Sequence, residues 1–347
     1  MVSDTVEPSE RTVVDGVDVL GSLSPSRAAD FMSCPLLFRF RTVDRLPEPS
    51  SPGAVRGSLV HKVLEDLFDL PAGDRTPERA AELVTPAWES LKAADPDIAE
   101  MFGTDGDQIG AWLASCHESL TSYFDLEDPN RLEPVERETY VEALLSSKLL
   151  LRGVIDRLDV APGGEIRVVD YKTGRAPGEG FEARALFQMR FYALVLWRTR
   201  GVVPRMLQLI YLGSDEILRY VPDEQDLLAT ERKVEALWAA IALAQETGDW
   251  RPNRSARCGW CAHRSICPEW GGTPPPLPPP RPIEPPRPIE PPRLIELVEI
   301  TPAEPADPPP ADAACRGHPV TGGARPTAPP ASGPPLRSAG TPRSDEP

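Results

Sequence analysis

The sequence predicts an α/β fold in which a mixed sheet is flanked by helices and carries a helical insertion. Two observations lead to this prediction. The apolar residues first follow a helical spacing over 24–125 and then alternate with the two-residue period of strands over 138–174. In addition, 25 of the 43 prolines lie in the last 77 residues, where large apolar side chains are scarce. We therefore predict a folded domain over 21–270, with a disordered N-terminus over 1–20 and a disordered proline-rich tail over 271–347.

Helices are predicted in the first part of the domain. Ser24 is a suitable N-cap and Pro25 a suitable first residue for a short helix that reaches Cys34. The segment GSLVHKVLEDLFDL, over 57–70, places its leucines and valines on one helical stripe. The acidic stretch that follows predicts two or three further helices, which form an insertion over about 71–130.

Strands and helices alternate in the second part of the domain. Three consecutive strands are predicted from ETYVEALL, LLLRGVIDRLDV and EIRVVDYKTG. A helix over 181–201 follows and ends at a glycine, and two strands over 205–221 precede a long helix over 223–247. Helices and a strand meander in one unit are typical of a mixed sheet covered by helices.

The loop Pro162-Gly163-Gly164 between the last two predicted strands fixes which residues face each other. A three-residue loop with a left-handed glycine places Asp156 directly opposite Asp170. Lys172 lies two residues after Asp170 and therefore on the same face of the sheet. Two neighbouring carboxylates with one lysine need a further cation between them, and a divalent metal is the usual one.

Such a group of side chains can hydrolyse phosphodiesters. A magnesium ion held by two carboxylates binds a phosphate oxygen and lowers the pKa of a bound water. A neighbouring lysine can orient or deprotonate that water, or stabilise the charge that develops on the phosphate.

The charge is unevenly distributed. The formal net charge of −16 argues against a nucleic-acid partner. However, residues 65–142 alone contain 20 acids and 5 lysines or arginines. Residues 24–62 carry six lysines or arginines against three acids, and residues 251–264 carry four arginines and no acid. We therefore predict that these two basic stretches supply a phosphate-binding groove.

Three of the six cysteines follow a metal-binding pattern, C-x₂-C-x₅-C, at Cys258, Cys261 and Cys267. The spacing admits a zinc ion with His263 or Cys34 as the fourth ligand, or an iron–sulfur cluster with Cys34. The remaining two cysteines are predicted to be a small core residue, Cys116, and a free thiol in the tail.

The combination and order of these motifs resemble the PD-(D/E)XK nuclease superfamily, and most closely its RecB-like exonucleases and the related CRISPR-associated adaptation nucleases. The resemblance covers roughly residues 21–270. It is carried by GSLVHKVLE, GVIDR, DYK and QMRFY, which correspond in order to four motifs of that group. The resemblance implies a restriction-endonuclease-like fold. The site residues that it implies are His61, Asp156, Asp170, Tyr171, Lys172, Gln188 and Tyr192.

The resemblance also implies a role for each residue. Mg²⁺ or Mn²⁺ is expected on His61, Asp156, Asp170 and the backbone carbonyl of Tyr171. Lys172 is expected to serve the attacking water. Gln188 and Tyr192, four residues apart on one helical face, are expected to support the site or contact the substrate strand. Glu65 is expected to be a secondary carboxylate.

Iron–sulfur members of this group place one cysteine before the first motif and three after the last helix. The same layout occurs here, and it favours a structural [4Fe–4S] cluster over zinc. Its ligands would be Cys34, Cys258, Cys261 and Cys267.

The expected function is that of a metal-dependent DNA exonuclease acting on single-stranded or frayed ends in DNA repair or recombination. The alternative is a non-catalytic DNA-end-binding or scaffold subunit that recruits a helicase or repair protein through the proline-rich tail. An RNA-directed nuclease on the same fold is a third interpretation. The sequence contains no GxxxxGK[ST] motif of a helicase motor. Because no apolar run is long enough to span a bilayer and no signal-peptide pattern is present, a soluble cytoplasmic protein is expected.

Overall fold

The computed structural model describes residues 13–14, 17–102, 106–178 and 182–279. The chain divides into a first unit, Met1–Pro292, and a second, Arg293–Pro347, which lies wholly outside the described residues. The predicted disorder of the tail from residue 280 onward therefore also falls outside them.

A six-stranded mixed sheet forms the centre of the first unit, and a separate pair of two-residue strands precedes it. The strands, in chain order, are β1 (Val13–Val14), β2 (Val17–Asp18), β3 (Gly21–Leu23), β4 (Glu136–Leu144), β5 (Leu149–Val160), β6 (Ile166–Lys172), β7 (Met206–Tyr211) and β8 (Glu216–Tyr220).

Strand β5 is the hub of the sheet. It pairs parallel with β3, antiparallel with β4 and antiparallel with β6. The order β3-β5-β6-β7-β8 continues through a parallel β6–β7 pair and an antiparallel β7–β8 pair. This architecture confirms the predicted mixed α/β sheet.

The loop between β5 and β6 has the predicted geometry. Ala161 N donates to Glu165 O over 2.9 Å, and Gly164 has a φ of +88°, which glycine adopts without strain. The ladder ends with Arg157 opposite Val169, so the next residues in this register are the two acids that the sequence places opposite each other.

The loop between β4 and β5 is built in the same way. Leu145 N donates to Leu149 O over 3.0 Å, and the left-handed position is taken by Lys148, with a φ of +64°. The pairing of Arg137 with Arg157 continues along the strands. It brings Glu138 opposite Asp156.

Eight α-helices surround the sheet in the described part of the chain. They are α1 (Pro25–Ser33), α2 (Pro35–Phe38), α3 (Pro52–Leu67), α4 (Pro77–Ala94), α5 (Pro96–Glu100), α6 (Gly106–Leu126), α7 (Glu182–Arg200) and α8 (Glu224–Thr247). The predicted start of α1 is confirmed, since the Ser24 side chain accepts from Arg27 N. Helix α3 begins five residues earlier than predicted, because Ser51 caps it and Pro52 takes its first position.

The sheet separates two apolar cores. One core contains Val168 and packs against α1, α2, α7 and α8, whereas the other contains Val169 and packs against α3, α4 and α6. The predicted helical insertion thus supplies α4, α5 and α6. Cys116 is fully buried in the second core, as predicted.

A buried arginine joins the insertion to the sheet. Arg157 is 1% exposed, donates to Glu127 over 2.9 Å and to Tyr171 OH over 2.5 Å, and forms an ion pair with Asp159 at 3.1 Å. These contacts supply the partners that a buried guanidinium needs.

Two differences from the sequence prediction lie in the N-terminal region. Strand β3 was not predicted, because three residues are too few to show an alternating pattern. Within the predicted disordered N-terminus, Val14 is opposite Val17 in the β1–β2 pair, while residues 1–12 lie outside the described ranges. Among the described helices, none combines the length and apolarity that crossing a membrane requires.

Candidate active site

The catalytic candidates lie where β5 and β6 separate. Beyond the Arg157–Val169 pair the two backbones no longer bond to each other. Instead the Asp156 carboxylate enters the gap and accepts a hydrogen bond from Tyr171 N over 2.8 Å. Asp170 is 1% exposed at the same level of β6. The predicted pair of acids is therefore close to the point of separation.

His61 reaches this point from α3. Its Nε2 donates to the carbonyl oxygen of Tyr171 over 2.9 Å, and its Nδ1 lies 3.5 Å from oxygens of both Asp156 and Glu138. The donor atoms of His61, Glu138 and Asp156 lie within 4.8 Å of one another, and this group could hold a metal ion. Three of the four predicted metal ligands thus meet at one place: His61, Asp156 and the carbonyl oxygen of Tyr171.

The electrostatics of this group favour a bound cation. Burial lowers the pKa of His61, but the surrounding carboxylates, first among them Glu138, raise it to about 9. Burial, and after it the charge of Asp170, raises the pKa of Asp156 to about 7. A proton on His61 therefore supplies positive charge that a metal ion would otherwise provide.

Lys172, Asp170 and Gln188 form a closed polar triangle beside this group. Lys172 Nζ lies 2.6 Å from Asp170 Oδ2 and donates to Gln188 Oε1 over 3.1 Å. Gln188 Nε2 donates to Asp170 Oδ1 over 2.7 Å and lies 3.3 Å from Tyr192 OH. Gln188, with Tyr192 next to it on α7, therefore holds Asp170 and Lys172 in place.

A glycine makes room for this arrangement. A Cβ atom on Gly153 would lie 2.7 Å from the ring of Tyr192 and 3.5 Å from Pro25 Cδ. The tyrosine ring thus packs directly on the backbone of β5, beside the first residue of α1. Gly153 precedes Asp156 in the GVIDR motif, and its role was not predicted.

A carboxylate that was not predicted, Glu138, lies at the site, and the predicted secondary carboxylate Glu65 lines the same pocket. Glu65 accepts from Lys62 Nζ over 3.1 Å and does not belong to the group of metal-ligand candidates. Glu138 belongs to it instead, on β4, with an unusual φ of +43°. The sequence signal for Glu138 was its position opposite Asp156, which required the register of the β4–β5 loop.

The four predicted cofactor cysteines, Cys34, Cys258, Cys261 and Cys267, line one pocket. Backbone N–H groups donate to two of the sulfurs, from Asn253 to Cys34 over 3.3 Å and from Ser255 to Cys258 over 3.4 Å. Such hydrogen bonds stabilise thiolate ligands.

The fourth zinc ligand considered above, His263, points elsewhere. Its ring is 5% exposed, packs on Phe40 with centroids 5.1 Å apart, and places Nε2 2.7 Å from Glu48. His263 is also absent from the lining of the cysteine pocket.

The two basic stretches differ in how much charge they leave free. In the first, Arg39 pairs with Asp44 at 3.0 Å, and Arg41 pairs with Asp30 and Glu48 at 2.8 Å. Those internal ion pairs oppose the prediction that residues 24–62 form a phosphate-binding groove. In the second stretch Arg251 pairs with Asp249 at 2.8 Å, whereas Arg254, Arg257 and Arg264 remain candidates.

Comparisons with known proteins show the family to which the chain belongs. A family model described as the PD-(D/E)XK nuclease superfamily matches residues 22–268. The gene 69 protein of Mycobacterium phage L5 is 31% identical, over 74% of this chain and 99% of the relative. A crystal structure of a provisionally named exonuclease from Eubacterium rectale is 14% identical, covers 71% of this chain and 89% of that chain, and has a TM-score of 0.48. The chain therefore belongs to the PD-(D/E)XK nuclease superfamily and is, at the level of that family, a nuclease.

Proposed function

We propose that the protein is a metal-dependent exodeoxyribonuclease that hydrolyses single-stranded or frayed DNA ends during DNA repair or recombination. The observation that carries the proposal is the meeting of His61, Asp156 and the Tyr171 carbonyl oxygen beside the Asp170–Lys172 pair. The preference for ends follows from the resemblance of the motifs to RecB-like exonucleases.

The chain's own groups divide the work between them. His61, Asp156, Asp170 and the Tyr171 carbonyl oxygen would hold Mg²⁺ or Mn²⁺, with Glu138 as an additional carboxylate. When bound, the ion would polarise a phosphate oxygen and lower the pKa of a bound water. The Lys172 amine would orient that water and stabilise the charge that develops on the phosphate.

The residues on α7 position this chemistry. Gln188 fixes the amine of Lys172 through its carbonyl oxygen and the carboxylate of Asp170 through its amide nitrogen. Because the Lys172 amine only donates and the ionised Asp170 carboxylate only accepts, the amide cannot turn over without losing both contacts. The lysine is thereby held at one distance from the acid.

An assay on end-labelled DNA tests the proposal. Purified protein should shorten linear single strands progressively in Mn²⁺ or Mg²⁺, spare circular single strands, and release nothing in EDTA. RNA of the same sequence, digested in parallel, separates a DNA-directed from an RNA-directed enzyme. Cleavage that persists in EDTA would contradict metal dependence, whereas strand binding without turnover in either metal would favour the non-catalytic subunit.

The cysteine pocket is proposed to hold a structural [4Fe–4S] cluster on Cys34, Cys258, Cys261 and Cys267. Four thiols on one pocket, two of them with N–H donors, fit such a group. Protein purified anaerobically should be brown and contain about four irons and four sulfides per chain. Colourless protein with one zinc per chain would show that the pocket holds zinc and not an iron–sulfur cluster.

Substituting Glu138 with glutamine should raise the Mn²⁺ concentration needed for half-maximal cleavage about tenfold, because one charge is lost beside the ion. A titration of the cleavage rate with Mn²⁺ measures this. The control is Glu142→Gln, on the same strand, whose carboxylate accepts from Tyr140 OH over 2.8 Å. If both variants need the same Mn²⁺ concentration for half-maximal cleavage, Glu138 takes no part in metal binding.

Substituting Gly153 with alanine should reduce cleavage strongly and destabilise the fold by about 1–3 kcal/mol, since the new methyl group overlaps the Tyr192 ring. Gly57→Ala is the matched control, because its methyl group would meet only Thr173 Oγ1, at 3.8 Å. Cleavage rates and thermal unfolding of both variants provide the test. A fully active Gly153→Ala protein would show that Tyr192 can move without consequence.

A further inference from the structure

An exposed tryptophan and a group of arginines lie beside the cysteine pocket. We call this group the tryptophan–arginine surface, and it comprises Arg254, Arg257, Trp260, Arg264 and Trp270. All five residues are exposed, and the three arginines also line the cysteine pocket. The surface belongs to the second basic stretch and its continuation.

Trp260 is unusual in its exposure. It is 86% exposed, the highest value among the large apolar side chains in the described part of the chain. Indole rings bury more apolar area than almost any other side chain, so an uncovered one is typical of a surface that binds something. Trp260 also lies between Cys258 and Cys261 in the sequence, at the end of a short 3₁₀ turn, Ala256–Trp260.

The arginines give the surface its charge and a second aromatic element. The guanidinium carbons of Arg254 and Arg264 lie 4.7 and 3.7 Å from the centroid of the Trp270 ring. Within the described ranges, neither of them nor Arg257 forms an ion pair with a carboxylate. Only one acid, Glu269, lines the same pocket. The surface is therefore positive, although the whole chain carries a net charge of −16.

Helix α1 runs from the neighbourhood of the catalytic residues to this surface. Pro25, its first residue, lies beside Gly153 and the Tyr192 ring. Ser33, its last residue, accepts at its Oγ from Arg257 Nη1 over 3.2 Å. Nine helical residues separate the two ends by about 12 Å. That distance corresponds to about four stacked nucleotides at roughly 3.4 Å each.

We propose that the tryptophan–arginine surface binds unpaired bases and phosphates of a DNA strand whose end enters the catalytic site. An exposed indole stacks on any unpaired base without regard to sequence, and arginines neutralise the phosphates on either side. Bases within a duplex cannot present their faces to Trp260, so the surface selects single strands. This inference rests on the proposed function only in its statement that the end of the strand enters the catalytic site.

Equilibrium binding of fluorescein-labelled oligo(dT) of 20 nucleotides, without added divalent metal, tests the inference. Trp260→Ala should raise the Kd about tenfold, the effect of losing one base–aromatic stack. Trp260→Phe should restore most of the affinity. The control is Leu243→Ala. Leu243 is an exposed apolar residue on α8, with 59% of its surface accessible, and its substitution should leave the Kd unchanged. An unchanged Kd for Trp260→Ala would overturn the proposal.

Salt dependence provides a second, independent measurement. The double variant Arg254→Ala/Arg264→Ala should lower the slope of log Kd against log salt concentration by about 1.4, from about 0.7 per lost phosphate contact on a single strand. An unchanged slope would show that neither arginine contacts a phosphate of the bound strand. Visible absorption and thermal unfolding of each variant show whether the pocket is intact.

Binding and cleavage can fail separately. If the wild-type protein binds oligo(dT) through Trp260 but cleaves nothing in Mn²⁺, the proposed activity is wrong and the binding surface stands. If it cleaves DNA and Trp260→Ala binds as tightly as wild type, the activity stands and the surface is wrong.

Discussion

Replacing Lys172 with alanine is expected to lower the rate of DNA cleavage at least about a thousandfold, with the fold and Mn²⁺ binding retained. The amine lies 2.6 Å from Asp170 and 3.1 Å from Gln188 Oε1, so it is held next to the predicted metal ligands. Single-turnover cleavage of a 5′-labelled strand measures the loss. The rise in unfolding temperature on adding Mn²⁺ should persist.

The matched control is Lys62→Ala. Lys62 follows His61 on α3, but its amine pairs with Glu65 at 3.1 Å and Asp66 at 2.8 Å on the helix surface. Its loss should change cleavage less than about twofold. If Lys172→Ala cleaves at a rate similar to Lys62→Ala, the amine takes no part in the reaction and the proposed site must be revised.

Replacing Cys34 with serine is expected to lower the midpoint of thermal unfolding by about 10 °C or more. Cys34 and Cys258 are 224 positions apart, so a shared cofactor closes a very long loop. Closing a loop of 100 residues by a covalent link stabilises a fold by about 4–5 kcal/mol in the chain-entropy treatment. For domains of this size each kcal/mol shifts the midpoint by about 2–4 °C. Differential scanning calorimetry under anaerobic conditions measures the change.

Cys116→Ala provides the control for the cysteine substitution. Cys116 is fully buried in the core beside α3 and α4, away from the pocket. The variant should keep its visible absorption and iron content. It should lose only the small stability that a missing sulfur contributes to packing. If Cys34→Ser keeps both the unfolding midpoint and the iron content of the wild type, Cys34 is not a ligand.

The two hairpins show why one part of the site could be predicted from the sequence and another could not. Gly164 is the residue type that the left-handed position of a three-residue loop favours, so the pairing of β5 with β6 could be predicted. Lys148 takes the same position in the preceding loop. Because a lysine there gives no signal, the register of β4 remained open, and Glu138 was missed with it.

Tertiary contacts account for the other differences. Nothing in the local sequence shows that Arg39 and Arg41 are neutralised by internal partners, since Arg39 pairs with Asp44 and Arg41 with Asp30. The approach of the Tyr192 ring to β5 likewise depends on how α7 packs on the sheet. Motifs that lie within one hairpin or one helix were predictable, whereas contacts between distant elements were not.

The buried Arg157 gives the chain a means of rejecting misfolded hairpins. Side chains alternate along a strand, so shifting β5 by one residue would move Asp156 into the position of the guanidinium. A carboxylate would then stand beside Glu127, which accepts from Arg157 in the native arrangement. The resulting repulsion in a buried place makes the shifted pairing unstable. Correct alignment of the catalytic acids is thus enforced during folding by charges on the opposite side of the same strand.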